Sequence, residues 1–160
     1  MTIKKLWALI SSVIVIGAFL VGYFIGKVNP PDDPIIDPDP VVEVTVKEDG
    51  VYDSKEEVAL YLVTYHKLPS NYVTKYEARK AGWEGGSVEP YFPGCCIGGD
   101  SFANREGLLP SKKGRTYREC DINTLGKKSR GDERIIYSND GLIYYTDDHY
   151  ESFVLLYGEE

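Results

Sequence analysis

Apolar residues are distributed along this chain in three different ways. Leu6 to Gly26 is an unbroken stretch of 21 positions without a charge, flanked by Lys4, Lys5 and Lys27. Its length suits a helix that spans a bilayer, and the lysines that precede it orient such a helix with the remainder of the chain outside. The alternative is a cleaved signal peptide, but the stretch ends Gly22-Tyr23-Phe24-Ile25-Gly26, with bulky residues where a cleavage site wants small ones. Residues 1–27 therefore read as a signal-anchor in preference to a signal peptide.

The second regime has almost no apolar pattern. Asn29 to Pro40, NPPDDPIIDPDP, contains five prolines and four aspartates. Proline excludes helix and favours extended chain, and the like charges repel, so residues 28–50 read as a stiff linker or pro-segment. Within it, VVEVTVK (Val41 to Lys47) alternates like a short strand but is equally readable as linker.

The third regime, residues 51–160, has the periodicities of one folded domain. Ser54-Lys55-Glu56-Glu57 forms a capping box ahead of the helix-spaced Val58, Tyr61, Leu62 and Tyr65, and Pro69 bars continuation. Thr74-Lys75-Tyr76-Glu77 is a second box, with Gly82 closing a short helix. After a glycine-rich loop the period becomes two. Strands are predicted at Ile97–Asp100, Thr116–Asn123, Arg134–Ser138, Leu142–Thr146 and Phe153–Tyr157, with turn chemistry such as Ser138-Asn139-Asp140-Gly141 between them. Helices first and strands in series imply an α+β domain, its N-terminal helices packed on one face of a C-terminal antiparallel sheet.

Charge narrows the function classes. The net charge of −7 argues against a protein that coats nucleic acid non-specifically, which would be basic. Positive charge is nevertheless concentrated between Arg105 and Arg134, where nine basic residues face five acidic ones. Three positions stand out chemically. His149, one of two histidines, sits in TDDHY beside aspartates that favour its cationic form, either as an exposed loop residue or as an acid. Lys75 lies in a first helical turn, where exposed N–H groups already attract anions. In TYRECDINTL, alternation sends Arg118 and Cys120 to one sheet face and Tyr117, Glu119 and Asp121 to the other.

Three long stretches carry a family resemblance: YLVTYHKLPSNYVTKYEARKAGW, IGGDSFANREGLLPSKKGRTYRECDIN and SRGDERIIYSNDGLIYYTDDHYESF. In order and spacing they closely resemble barnase and its relatives, the extracellular guanyl-preferring ribonucleases of bacteria, over essentially all of residues 51–157. The resemblance implies the microbial ribonuclease fold. It also implies that Glu119 is the general base and His149 the general acid, with Lys75, Arg130, Arg134 and Tyr150 at the phosphate. The FANRE loop (Phe102, Ala103, Asn104, Arg105, Glu106) is implied to recognise guanine, with Arg105 bracing the loop, and Asp100 and Asp121 to line or brace the site. His66, at the end of the first helix, is read as structural.

The implied activity is cleavage of single-stranded RNA after guanosine, through a 2′,3′-cyclic phosphate that is then hydrolysed. It calls for no cofactor and no metal. The implied partners are the RNA substrate, a small acidic barstar-like inhibitor, and a membrane through the N-terminal segment; the catalytic domain is expected to be a monomer, outside the cell, secreted or tethered to the membrane. A rival reading keeps the fold but not the chemistry, as a silent surface-anchored RNA-binding domain. A third uses the same nuclease as an antibacterial toxin. The chain departs from the family at Ala103 (serine there), and at Tyr117 and Gly141 (both tryptophan there). It also carries Cys95, Cys96 and Cys120, which barnase lacks. Cys120 is favoured as a small buried hydrophobe, and a bridge to Cys95 or Cys96 is the alternative.

Overall fold

The computed structural model of the protein describes residues 44–160. The apolar run Leu6–Gly26 and the spacer Asn29–Pro40 lie outside the described residues. Among the described residues, no helix is long and apolar enough to cross a membrane.

Both predicted helices are present. Helix α1, Lys55–Tyr65, starts where the Ser54 side chain accepts from the Glu57 N–H, and buries Val58, Ala59, Tyr61 and Leu62. It stops ahead of Pro69, at His66, whose left-handed conformation (φ 54°) turns its N–H back to the Leu62 carbonyl. Helix α2, Lys75–Lys80, opens with both halves of the Thr74/Glu77 capping box in place.

The strands are β1 (Tyr72–Val73), β2 (Cys96–Phe102), β3 (Tyr117–Asp121), β4 (Arg134–Ser138), β5 (Ile143–Thr146) and β6 (Val154–Tyr157). They form one sheet in sequential order. All neighbours are antiparallel except β1 and β2, which run parallel. The five predicted strands are all present, Arg134–Ser138 with the predicted bounds and the other four with slightly different ends. The sixth, β1, has only two residues, too few for any alternation to register. No strand forms over Val44–Lys47, the described part of the expected VVEVTVK strand. This segment and the Glu48 that follows it are instead tied to α1 and the residues after it: the Tyr65 and Tyr61 hydroxyls donate to the Val46 and Glu48 carbonyls, and Lys67 pairs with Glu48.

The sheet is covered on both faces. Under α1, Val58, Ala59 and Leu62 pack on Cys120, Ile122, Ile135 and Ile143. On the opposite face Leu109, Tyr117, Ile136, Leu142 and Tyr144 form a second cluster. A third, around α2, joins Ala78, Trp83, Val88 and Ile97. The expectation of one covered face thus missed the loop-built cluster of Leu109 and the aromatics. The three cysteines are free, and Cys96 and Cys120 are each 1% exposed, so both behave as small core residues. Burial pushes the Cys96 thiol up to about 12, which keeps it protonated.

One backbone irregularity decides where the Asp100 side chain lands. Gly98 pairs with Cys120, yet Asp100 pairs with Glu119, so Gly99 (φ 91°) is an extra residue bulged out of β2. Were Gly99 paired in regular register, Asp100 would face Arg118 on the helix-covered side. With the bulge, Asp100 shares the face of Glu119. Gly98 allows β1 to β3 to close on one another, because a Cβ there would lie 2.6 Å from both the Cys120 Cβ and the Tyr72 ring.

Candidate active site

Strand β3 supplies the centre of the site. Its front face carries Glu119 and Asp121, both buried, at 7% and 1% exposure. Isolated carboxylates are not buried at such cost, so each must have partners. Glu119 has two: the Lys75 ammonium donates to Oε1, and the Tyr150 hydroxyl donates to Oε2 at 2.7 Å. Burial, and then the bond to Glu119, push the Tyr150 phenol well up, so it remains a donor.

Lys75 reaches Glu119 because it is the first residue of α2, and α2 is anchored there. The Lys75 backbone N–H donates to Asp100 at 2.9 Å, so an unpaired helix-start N–H finds a carboxylate. The bulge in β2 thus positions Asp100, and Asp100 positions the lysine.

Asp121 organises the two arginines. Arg130 grips it with two parallel bonds of 2.7 Å, from Nε and Nη2. The Arg134 Nε lies 3.0 Å from Oδ1, the oxygen that also accepts from the Arg130 Nη2, as an ion pair whose N–H points off the hydrogen-bond line. Arg134 also donates to the carbonyls of Arg130 and Glu133. A single carboxylate therefore holds two guanidiniums in fixed positions beside Glu119.

The FANRE loop joins the site through aromatic contacts. Phe102 stacks on Tyr150 with centroids 5.4 Å apart, and Phe153 meets Phe102 edge-on at 6.2 Å. Asn104 (φ 44°) pins the loop, its amide bonding both the N–H and the carbonyl of Leu109. Asn104, and not Arg105 as expected, is thus the loop brace; Arg105 makes no hydrogen bond or ion pair among the described residues. Ala103, Arg105 and Glu106 are exposed.

His149 is exposed, and its ring lies 4.9 Å from that of Tyr150. His149 and Tyr150 both have positive φ, 56° and 77°, an uncommon pair of conformations for bulky residues. The loop that enforces them is braced by Asp148. Its carboxylate accepts from the side chain and N–H of Ser152, the Thr146 hydroxyl and the Glu151 N–H, which hold it down to about 2. The acidic neighbour that the sequence suggested as a charge partner for His149 is thus the clamp of its loop.

Three participants escaped the sequence reading. The Tyr72 hydroxyl donates to the Asp121 carbonyl at 2.8 Å, the Trp83 ring lies 5.8 Å from the Arg130 guanidinium, and Phe153 backs Phe102. No local pattern marks them, since each is distant in sequence from its partner.

Comparison with known proteins places the chain in a family. A family model described as ribonuclease matches residues 55–157. The chain is 49% identical over 106 residues to a ribonuclease of Heyndrickxia coagulans, covering 65% of this chain and 96% of that protein. It is 48% identical over 106 residues to a ribonuclease of Bacillus intermedius, covering 65% of each. Over 57 residues it is 42% identical to guanyl-specific ribonuclease St of Saccharopolyspora erythraea, 36% of this chain and 56% of that one. Since the family model spans well over half of the sequence and contains every residue of the Glu119 site, the chain belongs to the ribonuclease family that its resemblance to barnase implied.

Proposed function

We propose that this chain is an endoribonuclease that cleaves single-stranded RNA after guanosine by transesterification. The observation that carries the reading is a buried carboxylate, Glu119, suspended between the Lys75 ammonium and the Tyr150 hydroxyl, with two fixed guanidiniums alongside. Glu119 takes the 2′-OH proton, the 2′-oxygen attacks phosphorus, and the bond to the 5′-oxygen breaks as His149 delivers a proton to it. Water then opens the 2′,3′-cyclic phosphate with the two residues in exchanged roles. Lys75, Arg130 and Arg134 meet the charge that builds on the phosphoryl oxygens, already oriented before the substrate arrives. This supply of positive charge is why no metal is called for.

Guanine preference rests on the exposed Glu106 carboxylate, which can accept from the N1–H and N2–H₂ edge, and on the Phe102–Tyr150 stack as a platform for the base. The same cationic cluster suits an acidic barstar-like inhibitor. The extracellular, tethered location rests on the Leu6–Gly26 run alone.

The test is cleavage of GpN and ApN dinucleotides by the full chain in EDTA. GpN should be cleaved to a cyclic phosphate, ApN far more slowly, and the rate should be bell-shaped in pH. Unchanged turnover in His149→Gln, with its alkaline limb intact, would remove His149 from the role of acid. No cleavage in EDTA with recovery on adding a divalent cation would overturn the metal-free mechanism.

A further inference from the structure

A second cavity lies on the reverse of the catalytic strand. It is a groove of about 870 Å³ between the end of α1 and the β4–β5 turn, within the size range of small-molecule sites. Its walls include the apolar Leu62, Leu68 and Ile143 and the rings of Tyr72 and Tyr137. His66, Lys67 and Arg118 also line it. No aspartate or glutamate lines it, although the chain as a whole carries a net charge of −7. One end is open at Gly141, where a Cβ would meet nothing within 4 Å.

Arg118 is the singular member. The cations on the front face are each tied to a carboxylate: Lys75 to Glu119, and Arg130 and Arg134 to Asp121. Lys67 is taken by Glu48. Arg118 makes one hydrogen bond, to the Gly99 carbonyl, and among the described residues pairs with no carboxylate. That single bond holds the guanidinium beside Tyr137, its partner across the strands, and leaves the rest of its planar fork without a protein acceptor. An unneutralised guanidinium next to apolar and aromatic walls is complementary to an anion that carries a flat apolar body, and phosphate, with the larger charge of the two anions that the fork fits in bidentate fashion, is preferred over carboxylate.

We propose that this groove is a binding site for an organic phosphate with an aromatic body, distinct from the catalytic centre. Its phosphate is held by Arg118, and its ring lies against the tyrosine-lined wall. At the far end the exposed Thr116 hydroxyl can bond a substituent of the ring, whereas the Ser138 hydroxyl and the Asn139 amide already bond Asp140, the Thr116 N–H and the Gly114 carbonyl.

The probe is phenyl phosphate, titrated into the full chain while amide NMR shifts are followed, with phenol and inorganic phosphate as comparators. Phenyl phosphate should shift the amides of Gly98, Gly99, Asn139 and Gly141 in a saturable manner, and bind more tightly than either comparator. Arg118→Glu should weaken that binding by about tenfold or more, while any shifts at His149 and Tyr150 from binding at the front face persist. The undisturbed amide spectrum of the variant reports that it is folded. The proposal is overturned if the groove amides do not move, if phenol binds the wild-type protein as tightly as phenyl phosphate, or if folded Arg118→Glu binds unchanged.

Discussion

Strand β3 has two faces that handle charge in opposite ways. On the front, Glu119 and Asp121 are buried, and every cation near them is committed to a carboxylate. On the reverse, Cys120 disappears into the core under α1, and Arg118 stands exposed with a single carbonyl as its partner. The front is a site made rigid by mutual pairing, where each charge is expensive to leave alone. The reverse is an apolar groove with one uncommitted cation. Alternating residues of a five-residue strand thus belong to two electrostatic environments, and substitutions on them should differ accordingly.

The largest expected contrast is kinetic. Glu119→Gln should lower kcat/KM for GpN cleavage by about 10²–10⁴-fold, whereas Arg118→Ala should leave it close to wild type; equal losses in both would dissolve the distinction between the faces. The next is thermodynamic. Asp121→Asn leaves two guanidiniums without their shared counter-charge and should destabilise the fold by about 3–5 kcal/mol, read from the urea midpoint. Arg118→Ala, on an exposed residue, should stay within about 0.5 kcal/mol.

A smaller effect probes the packing that joins the two faces. Gly98→Ala places a Cβ 2.6 Å from the Cys120 Cβ and the Tyr72 ring. Thermal or urea unfolding should show a loss of about 1–3 kcal/mol, and a neutral result would mean that β1 to β3 can part more easily than their spacing suggests.

The smallest effect concerns the His149 loop. Asp148 is depressed to about 2 from 3.8, so the stability it contributes is complete above its unfolded value and is lost as pH falls through about 2. Asp148→Asn should therefore be less stable than wild type near neutrality, with the gap closing between about pH 4 and 2. A gap that persists at pH 2 would mean that the clamp works through packing and not through charge.

Much of this was readable along the chain because it is local. A capping box needs only residues three apart, and both helices begin where Ser54 and Thr74 said they would. Alternation in TYRECD assigned Glu119 and Asp121 to one face and Arg118 and Cys120 to the other, since successive strand side chains must point apart. The long motifs named the site residues through the family resemblance.

What those patterns left open depends on contacts between distant positions. Strand β1 exists because Cys96 and Ile97 pair with Tyr72 and Val73, and two residues carry no period of their own. Whether Asp100 faced Glu119 or Arg118 turned on a bulge at Gly99, which shifts register by one and so reverses the face. Asp148 is the local exception: it looked like a charge partner for His149, but Thr146, Glu151 and Ser152, all within four residues, close around its oxygens. Residue order is enough to specify which way a side chain leaves its own backbone, because that is set by neighbours a few bonds away. Which charge it meets there is set by long-range packing, and so Arg118 and Glu119, adjacent in the chain, came to have such different surroundings.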